Sequence, residues 1–239
     1  MNLVLLEADE IGRPLPRSDR RVAHLLDVLG RREGEPFDAG VINGSRGKAR
    51  FSAVTAATVT LAFEPTHPPA LPPPLTLVVG LARPQTARDV LRDATTLGVA
   101  ALHFVVTERT DPGYTQSSLW SSGEWRRHVI TGAEQAFDTR LPEVTWGQPL
   151  VETLAALPKD SGRVALDNYE ATGPLGDTSL PIGSHVVLAV GGERGWGPAD
   201  RAALRAAGFG LCHLGARVLR VESACVAALA IVRGRLGLM

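Results

Sequence analysis

The chain has few cysteines and no excess charge of either sign. Cys212 and Cys225 are the only cysteines among 239 residues, and they show neither CxxC spacing nor a surrounding histidine array. A zinc site or a disulfide framework therefore has no support, and we expect no bound metal and a reducing cytoplasm. The net charge of zero argues against a protein that coats nucleic acid through positive charge alone.

Long hydrophobic runs are also absent. No 18-residue apolar run is free of charge, and the opening MNLVLLEADE lacks the basic region and the full-length apolar core of a signal peptide. Export or membrane insertion is therefore not expected. The composition, 44% hydrophobic and 21% charged, is instead typical of a globular protein with a real core and one or two domains.

Proline is concentrated in one segment. The stretch Glu64–Pro74, EPTHPPALPPP, holds six of the seventeen prolines, and such a run continues neither a helix nor a central strand. We interpret it as a semi-rigid linker between a first domain at residues 1–70 and a second at residues 75–239.

The first domain is predicted to be a small β-rich module interrupted by one helix. The helix is expected at Ser18–Leu29, with Ser18 as its N-cap and Gly30 just past its end. Alternating stretches predict strands at 1–6, 51–54 and 58–63, with glycine turns at Gly40, Gly44 and Gly47.

The second domain shows strands alternating with helices, which is typical of an α/β domain with a mostly parallel sheet. In the first predicted helix, Ala87, Val90, Leu91 and Ala94 share one face. Strands are predicted at 75–81, 99–106, 163–166, 185–190 and 210–214, and helices at 85–97, 124–137, 198–207 and 222–236.

Two strand-to-helix connections carry most of the functional information. They are GGERGWGPAD at Gly191–Asp200 and LGARVLRVESACVAAL at Leu214–Leu229. Ligands of open α/β sheets bind beyond the carboxyl ends of the strands, where glycines allow close backbone approach, so a nucleotide-like ligand is plausible. Neither GxGxxG nor GxxxxGK[ST] is present, and an ordinary glycine-rich loop is the alternative interpretation.

The same two segments resemble the signature of the SPOUT-class (trefoil-knot) RNA methyltransferases, specifically the ribosomal RNA small subunit methyltransferase E family. That family carries a GPEGG-like loop followed by LGxxILRxETA. In the first loop Gly192 replaces the proline and Arg194 replaces a glycine, while Gly191, Glu193, Gly195 and Trp196 remain. The second segment matches at Leu214, Gly215, Val218, Leu219, Arg220, Glu222, Ser223 and Ala224, with serine in place of threonine.

Shorter matches extend the resemblance over nearly the full length. They are HLxxVL at His24–Leu29, LGV at Leu97–Val99, TER at Thr107–Arg109, AEQ at Ala133–Gln135, and Pro142. The chain departs from the family at Asp93 and Thr96, where a lysine and a glutamate are usual, and at Asp138, where an arginine is expected. RNA contacts on that face are therefore expected to differ.

The resemblance implies an N-terminal PUA-like β-barrel that binds RNA and a C-terminal SPOUT α/β domain with a deep trefoil knot. It implies a homodimer that uses S-adenosylmethionine to methylate N3 of a uridine in the 16S ribosomal RNA of the small subunit. Carried over residue by residue, the cofactor contacts are Leu166, Gly191, Glu193, Gly195, Leu214, Gly215, Val218, Leu219 and Ala224.

Two residues are candidates for catalysis. Arg220 is the candidate to stabilise the anion that forms when uridine N3 loses its proton, and Glu222, the nearest carboxylate in the sequence, is the candidate to accept that proton. The structural alternatives are a surface salt bridge for Arg220 and a helix-dipole contact for Glu222.

The candidates for RNA contact come from a basic cluster and from two family motifs. Six arginines lie between Arg13 and Arg32, against two aspartates, and a solvated basic face is the alternative interpretation. His24 is alternatively a core histidine, and Trp196 either stacks on a base or packs internally. Arg109 and Gln135 either contact RNA or brace loops. The five candidates are Arg21, His24, Arg32, Arg109 and Gln135.

Three other functions compete with this interpretation. One is a knotted methyltransferase with another RNA target, such as a ribose 2′-hydroxyl of transfer RNA. Another is an RNA-binding protein of this fold that has lost catalysis, suggested by Gly192, Arg194, Asp93 and Thr96. A nicotinamide-dependent enzyme is disfavoured by the missing glycine fingerprint.

Overall fold

The structure, a computed structural model, describes residues 3–180 and 183–238. Backbone contacts divide the chain into two compact units. The first comprises the chain up to Leu71 together with Ala133–Leu141, and the second comprises Pro72–Gly132 and the chain from Pro142 onwards. The boundary near Leu71 lies inside the proline-rich segment, whereas the assignment of Ala133–Leu141 to the first unit is not foreseen by the sequence patterns.

The first unit is built on a five-stranded sheet with the strand order β1-β3-β4-β5-β2. Strand β1 pairs with β3 in parallel, and the other pairs are antiparallel. Its core contains the tilted ring pair of Phe37 and Phe51, whose centroids are 5.6 Å apart. The elements are β1 (Val4–Leu6), β2 (Pro14–Pro16), helix α1 (Arg20–Ala23), β3 (Phe37–Val41), β4 (Arg46–Val54) and β5 (Thr58–His67).

The helix of the first unit begins one residue later than expected. Its N-cap is Asp19, whose Oδ1 accepts the backbone N–H of Arg21 at 2.8 Å, so the prediction of Ser18 as N-cap is wrong. After α1 the backbone widens into a π-helical turn at His24–Val28, and Gly30 follows with a φ of 63°. Residues 1 and 2 of the first predicted strand lie outside the described residues.

Two of the predicted glycine turns are wrong, and the predicted linker begins too early in the chain. Gly40 and Gly47 lie within strands, and only Gly44 is in a turn. A Cβ on Gly47 would stand 2.0 Å from the carbonyl oxygen of Glu64, so glycine here allows β4 and β5 to pair closely. The register shifts beside Gly47, opposite Pro65, and strand β5 therefore continues to His67 through the start of the predicted linker.

The second unit is a mixed α/β fold built on a six-stranded parallel sheet, with the order β11-β9-β10-β6-β7-β8. Its strands are β6 (Leu75–Gly80), β7 (Ala101–Val106), β8 (Glu143–Pro149), β9 (Ser161–Leu166), β10 (His185–Val190) and β11 (Gly210–Cys212). Its helices are α2 (Pro84–Thr96), α3 (Ser118–Ser121), α4 (Glu124–Ala136, which continues into the first unit), α5 (Leu150–Ala156), α6 (Pro198–Ala206) and α7 (Val221–Arg235).

Apolar runs and periodicity explain most of these elements. All six residues of β6 are buried, as its unbroken apolar run predicts for a central parallel strand. The predicted face of α2, residues 87, 90, 91 and 94, is buried, and Gly98 follows the helix with a φ of 75°. Strand β8 and helix α5 are absent from the predicted elements. The sequence of β8, EVTWGQP, has too little hydrophobic character to mark a strand.

The strand order places three chain segments at one edge of the parallel sheet. Leu166, Val190 and Cys212 end β9, β10 and β11, and these strands are parallel neighbours. The connections that follow them therefore meet at the carboxyl ends of the strands, where open α/β sheets bind ligands. In the described ranges, no helix has the length and apolar character needed to span a membrane.

Candidate active site

A cavity of about 580 Å³ lies in the second unit at this edge of the sheet, a volume suited to a small-molecule ligand. Both candidate catalytic residues, Arg220 and Glu222, line it. Of the predicted cofactor contacts, only Gly215 does not line the cavity. The predicted contacts that do are Leu166, Gly191, Glu193, Gly195, Leu214, Val218, Leu219 and Ala224. The lining also includes residues that sequence reasoning missed, among them Arg83, Thr86, Asp167, Asn168, Tyr169 and Arg217.

The glycine loop after β10 is folded tightly against the end of β6. A Cβ on Gly80 would lie 2.5 Å from the backbone nitrogen of Gly192, and one on Gly191 would lie 3.0 Å from the Cα of Gly195. Gly195 has a φ of 62° and donates its N–H to the carbonyl of Gly192 at 2.8 Å. This part of the cavity wall is therefore largely backbone, which side chains at these positions would disrupt.

Two arginines hold this loop in place. The Glu193 carboxylate accepts the backbone N–H of Arg83 at 2.9 Å and its Nε at 3.3 Å, which ties the loop to the start of α2. Arg109 donates from Nη1 to the carbonyl of Arg194 at 2.8 Å. Arg109 thus braces the loop, which was one of the two interpretations of its motif, although its side chain remains exposed.

Glu108, in the same TER motif, connects the loop to helix α6. Its Oε2 accepts the backbone N–H of Ala199 at 3.0 Å, and its own N–H donates to the buried carboxylate of Asp200 at 3.1 Å. Asp200 also accepts the N–H of Gly197 at 2.8 Å, and a Cβ on Gly197 would stand 2.1 Å from Glu108. The motif therefore caps α6 and fixes the end of the glycine loop.

Trp196 lies in the interior beneath the loop. It is 1% exposed, and its Nε1–H donates to the carbonyl of Leu166 at 2.9 Å. The structure thus supports packing over base stacking, and the hydrogen bond joins the loop after β10 to the end of β9.

Arg220 and Glu222 stand at the start of α7. Arg220 is the N-cap residue and is exposed, and Glu222 lies in the first turn and is half-buried. Within the described residues, neither side chain makes a hydrogen bond or an ion pair, so the salt-bridge alternative for Arg220 is not supported. The position of Glu222 in the first turn is compatible with both of its proposed roles.

The two cysteines contribute no reactive group to this site. Burial, with a smaller contribution from the charge of Glu222, raises the pKa of the Cys225 thiol. Burial likewise raises the pKa of Cys212. Both thiols are therefore protonated and poorly nucleophilic at neutral pH. Within the described ranges, no group of three histidine, cysteine, aspartate or glutamate side chains is arranged to hold a metal ion.

Comparison with known proteins identifies the family. Residues 69–233 match the family model described as an RNA methyltransferase domain. The ribosomal RNA small subunit methyltransferase E of Treponema pallidum (strain Nichols) is 35% identical over 242 residues, which cover 97% of this chain and 90% of the relative. The chain belongs to the ribosomal RNA small subunit methyltransferase E family.

Two further proteins named as methyltransferase E support the assignment, and a more distant protein shares the fold. The protein of that name from Synechocystis is 31% identical over 87% of this chain and 68% of its own length. A crystal structure of the Neisseria gonorrhoeae methyltransferase E, bound to S-adenosyl methionine, has a TM-score of 0.78 and 26% identity, with 98% of this chain and 97% of that chain covered. A probable rRNA-methyltransferase from Porphyromonas gingivalis shares the fold, with a TM-score of 0.81 over 99% of both chains at 18% identity.

Arg21 was predicted to contact RNA, but the first unit uses all of its donors internally. The guanidinium donates to Glu10, to Asp19 and to the carbonyl of Leu5, at distances of 2.6 to 3.0 Å. These hydrogen bonds lower the pKa of both carboxyl groups and raise that of Arg21. The prediction for Arg21 is therefore corrected, because no N–H remains for a phosphate. Glu10 lies just outside the charge cluster considered in the sequence.

The other RNA candidates remain accessible to different degrees. Arg32 and Gln135 are exposed in the first unit, and His24 is half-buried in the π-helical turn. The backbone of Arg32 is engaged with Glu35, whose carboxylate accepts the Arg32 N–H at 2.9 Å and whose N–H donates to the Arg32 carbonyl at 3.2 Å. Its guanidinium has no partner within the described residues, as the predicted phosphate contact requires.

Proposed function

We propose that this protein is an S-adenosylmethionine-dependent methyltransferase that methylates N3 of a uridine in the 16S ribosomal RNA of the small subunit. One observation carries the proposal: the two family-like segments, 191–200 and 214–229, meet in one cavity with Arg220 and Glu222 in its wall. The relatives named as small subunit methyltransferases supply the substrate class.

The cavity has the character that S-adenosylmethionine requires. The close approach of Gly80 to Gly192 leaves a wall of backbone groups that can pair with polar atoms of an adenosine. Apolar side chains such as Leu166 and Leu219 line the same space, and the guanidinium groups of Arg83 and Arg217 offer positive charge for the carboxylate of an amino acid moiety. The residues thus fit an amphipathic nucleoside with a charged tail.

Once bound, the cofactor supplies an electrophilic methyl group on its sulfonium. The chain must then hold uridine N3 in line with that methyl and remove the N3 proton. In this proposal the exposed guanidinium of Arg220 donates to a uracil oxygen, where negative charge develops as the proton leaves. Since the Arg220 side chain has no partner in the described residues, no existing interaction must break for it to do so.

Glu222 is the proposed proton acceptor. It lines the cavity two residues after Arg220, and its side chain has no hydrogen-bond partner in the described part of the chain. A carboxylate at hydrogen-bonding distance from N3 can take the proton directly or through one water. A carboxylate in the first turn of α7 also complements the helix dipole, and that contact is compatible with this role.

The domain roles follow from the family. We infer that residues 1–70 form a PUA-like β-barrel that holds RNA, with His24 and Arg32 near the backbone, and that residues 75–239 form the SPOUT methyltransferase domain. Arg109 and Gln135 are proposed further RNA contacts. The strand order, in which β9 lies between β10 and β11, is compatible with a trefoil knot formed by the last two connections.

We further propose a cytoplasmic homodimer. Val218 (78% exposed), Leu219 and Val226 leave apolar surface at the start of α7, beside the cavity, which a second copy of the chain would cover. Two buried free cysteines suit a reducing compartment. Light scattering during size-exclusion chromatography measures the mass, and a monomer at micromolar concentration contradicts the dimer.

The decisive test combines binding and transfer. The purified protein is titrated with S-adenosylmethionine by calorimetry and then incubated with small ribosomal subunits that lack the modification, and digested nucleosides are analysed by mass spectrometry. Binding together with new N3-methyluridine supports the proposal. Binding with methylation at another atom assigns another RNA target, and no binding indicates that the altered loop residues Gly192 and Arg194 have abolished catalysis.

A further inference from the structure

Tyr169 is an aromatic side chain left in solvent at the cavity. It lies in the connection after β9, is 79% exposed, and lines the same cavity as the glycine loop. Aromatic rings contribute most when they are covered, and an exposed ring beside a ligand cavity is a common feature of base-binding surfaces. Within the described residues, the protein core does not cover this ring, so packing does not account for an aromatic side chain at this position.

The backbone that carries the ring is fixed. The Oδ1 of Asp167 accepts the backbone N–H groups of Tyr169 at 2.8 Å and of Glu170 at 2.6 Å, which closes a tight turn. Its Oδ2 accepts Nε of Arg201 at 2.7 Å, and the two side chains are 2% and 7% exposed. A buried ion pair thus anchors the turn to helix α6.

The ring itself rests on the same cation. The guanidinium carbon of Arg201 lies 5.2 Å from the centroid of the Tyr169 ring, within cation-π range. Glu170 pairs with Arg201 at 3.8 Å and with Arg205, so carboxylates hold the guanidinium from more than one side. One ring face is therefore supported while the rest of the ring remains open.

The surroundings of the open ring suit a nucleobase with a phosphate attached. Arg194, Arg217 and Arg220 are exposed residues that line the same cavity. Stacking on an aromatic ring tolerates any base, and nearby guanidinium groups bind phosphates or a carboxylate. A rigid ring also loses little conformational entropy when a base covers it.

From this geometry we infer that Tyr169, supported by Arg201, is a stacking platform for a nucleobase at the mouth of the cavity. The inference rests on the proposed function, which supplies two sources of such a base: the adenine of the cofactor and a base of the RNA. Tyr169 is a binding residue in this scheme, and Arg201 and Asp167 are positioning residues.

The test compares Tyr169→Leu with Tyr169→Phe, using Tyr114→Leu as the matched control. Tyr114 is the other tyrosine of the chain and does not line the cavity. For each variant we measure the Kd for S-adenosylhomocysteine by calorimetry, and KM and kcat for methylation of small subunits. Circular dichroism checks folding, which an exposed residue should not affect.

We expect Tyr169→Leu to weaken one of these two interactions by about 5- to 100-fold, whereas Tyr169→Phe and Tyr114→Leu stay within about twofold of the wild type. A raised Kd assigns the ring to the cofactor adenine, and a raised KM with an unchanged Kd assigns it to an RNA base. If Kd and KM are unchanged in Tyr169→Leu, or if Tyr169→Phe loses as much affinity as Tyr169→Leu, the stacking inference is wrong while the proposed function still stands. A wild-type protein that binds neither ligand overturns the proposed function and the inference together.

Discussion

The contact between Gly80 and the glycine loop makes a sharp prediction for Gly80→Ala. The new Cβ would lie 2.5 Å from the backbone nitrogen of Gly192, about 1 Å closer than van der Waals contact allows. Strand β6 is fully buried between β10 and β7, so the loop should yield rather than the sheet. Overpacking of this kind costs roughly 1–3 kcal/mol, and displacement of the loop removes part of the cavity wall.

We therefore expect Gly80→Ala to bind S-adenosylhomocysteine at least about tenfold more weakly, with a loss of about 1–2 kcal/mol in the free energy of unfolding. Calorimetric titration and urea unfolding measure the two quantities. Gly176→Ala is the control, because a Cβ at that position meets no atom within 4 Å. Wild-type affinity in Gly80→Ala would refute the reasoning, and lost stability with unchanged affinity would show that the sheet had moved instead.

Three further predictions concern single side chains. Arg220→Ala should reduce kcat at least about 100-fold with an unchanged Kd for S-adenosylhomocysteine, because the guanidinium acts on the developing uracil anion. Loss of cofactor binding or of folded protein would show that the role assigned to Arg220 is wrong. Arg21→Gln should cost about 2 kcal/mol of stability at pH 7 in urea unfolding. Arg21 lowers the pKa values of Glu10 and Asp19 below their usual 4.5 and 3.8. The stability that these two ion pairs contribute is therefore present above about pH 5 and is lost as the pH falls through the pKa values of the folded protein. The stability of Arg21→Gln should accordingly depend less on acid pH than that of the wild type. Glu108→Ala removes the carboxylate that accepts the N–H of Ala199 at the start of α6, so it should weaken S-adenosylhomocysteine binding. Glu108→Gln keeps an acceptor oxygen and should keep most of the affinity. If calorimetry gives Glu108→Ala the same affinity as the wild type, Glu108 has no positioning role.

Local patterns are sufficient wherever one chain segment determines its own structure. The apolar run of β6 and the helical spacing of residues 87, 90, 91 and 94 predict burial because hydrophobic periodicity is a property of neighbouring residues. The resemblance of residues 191–196 and 214–224 to the family likewise identifies much of the cavity wall from the chain's residues alone. Gly215 matches the family motif but does not line the cavity, which shows the limit of carrying residue roles over from a motif.

Interactions between distant segments cannot be predicted in this way. The partners of Arg21 include Glu10, eleven residues away, and a motif of charges does not reveal which carboxylate satisfies which guanidinium. Trp196 is ambiguous between stacking and packing until its hydrogen bond to Leu166, thirty residues earlier, places it in the interior.

The amino-acid sequence by itself therefore determined the order of most strands and helices, the apolar faces, and the two segments that carry the family motif. Only the tertiary structure decided that Gly80 meets Gly192, that Glu193 binds Arg83 and that Tyr169 stands open over Arg201. The physical reason is that parallel strands join through long crossovers, so residues that are neighbours at a sheet edge are separated along the chain by distances on which local propensity carries no information.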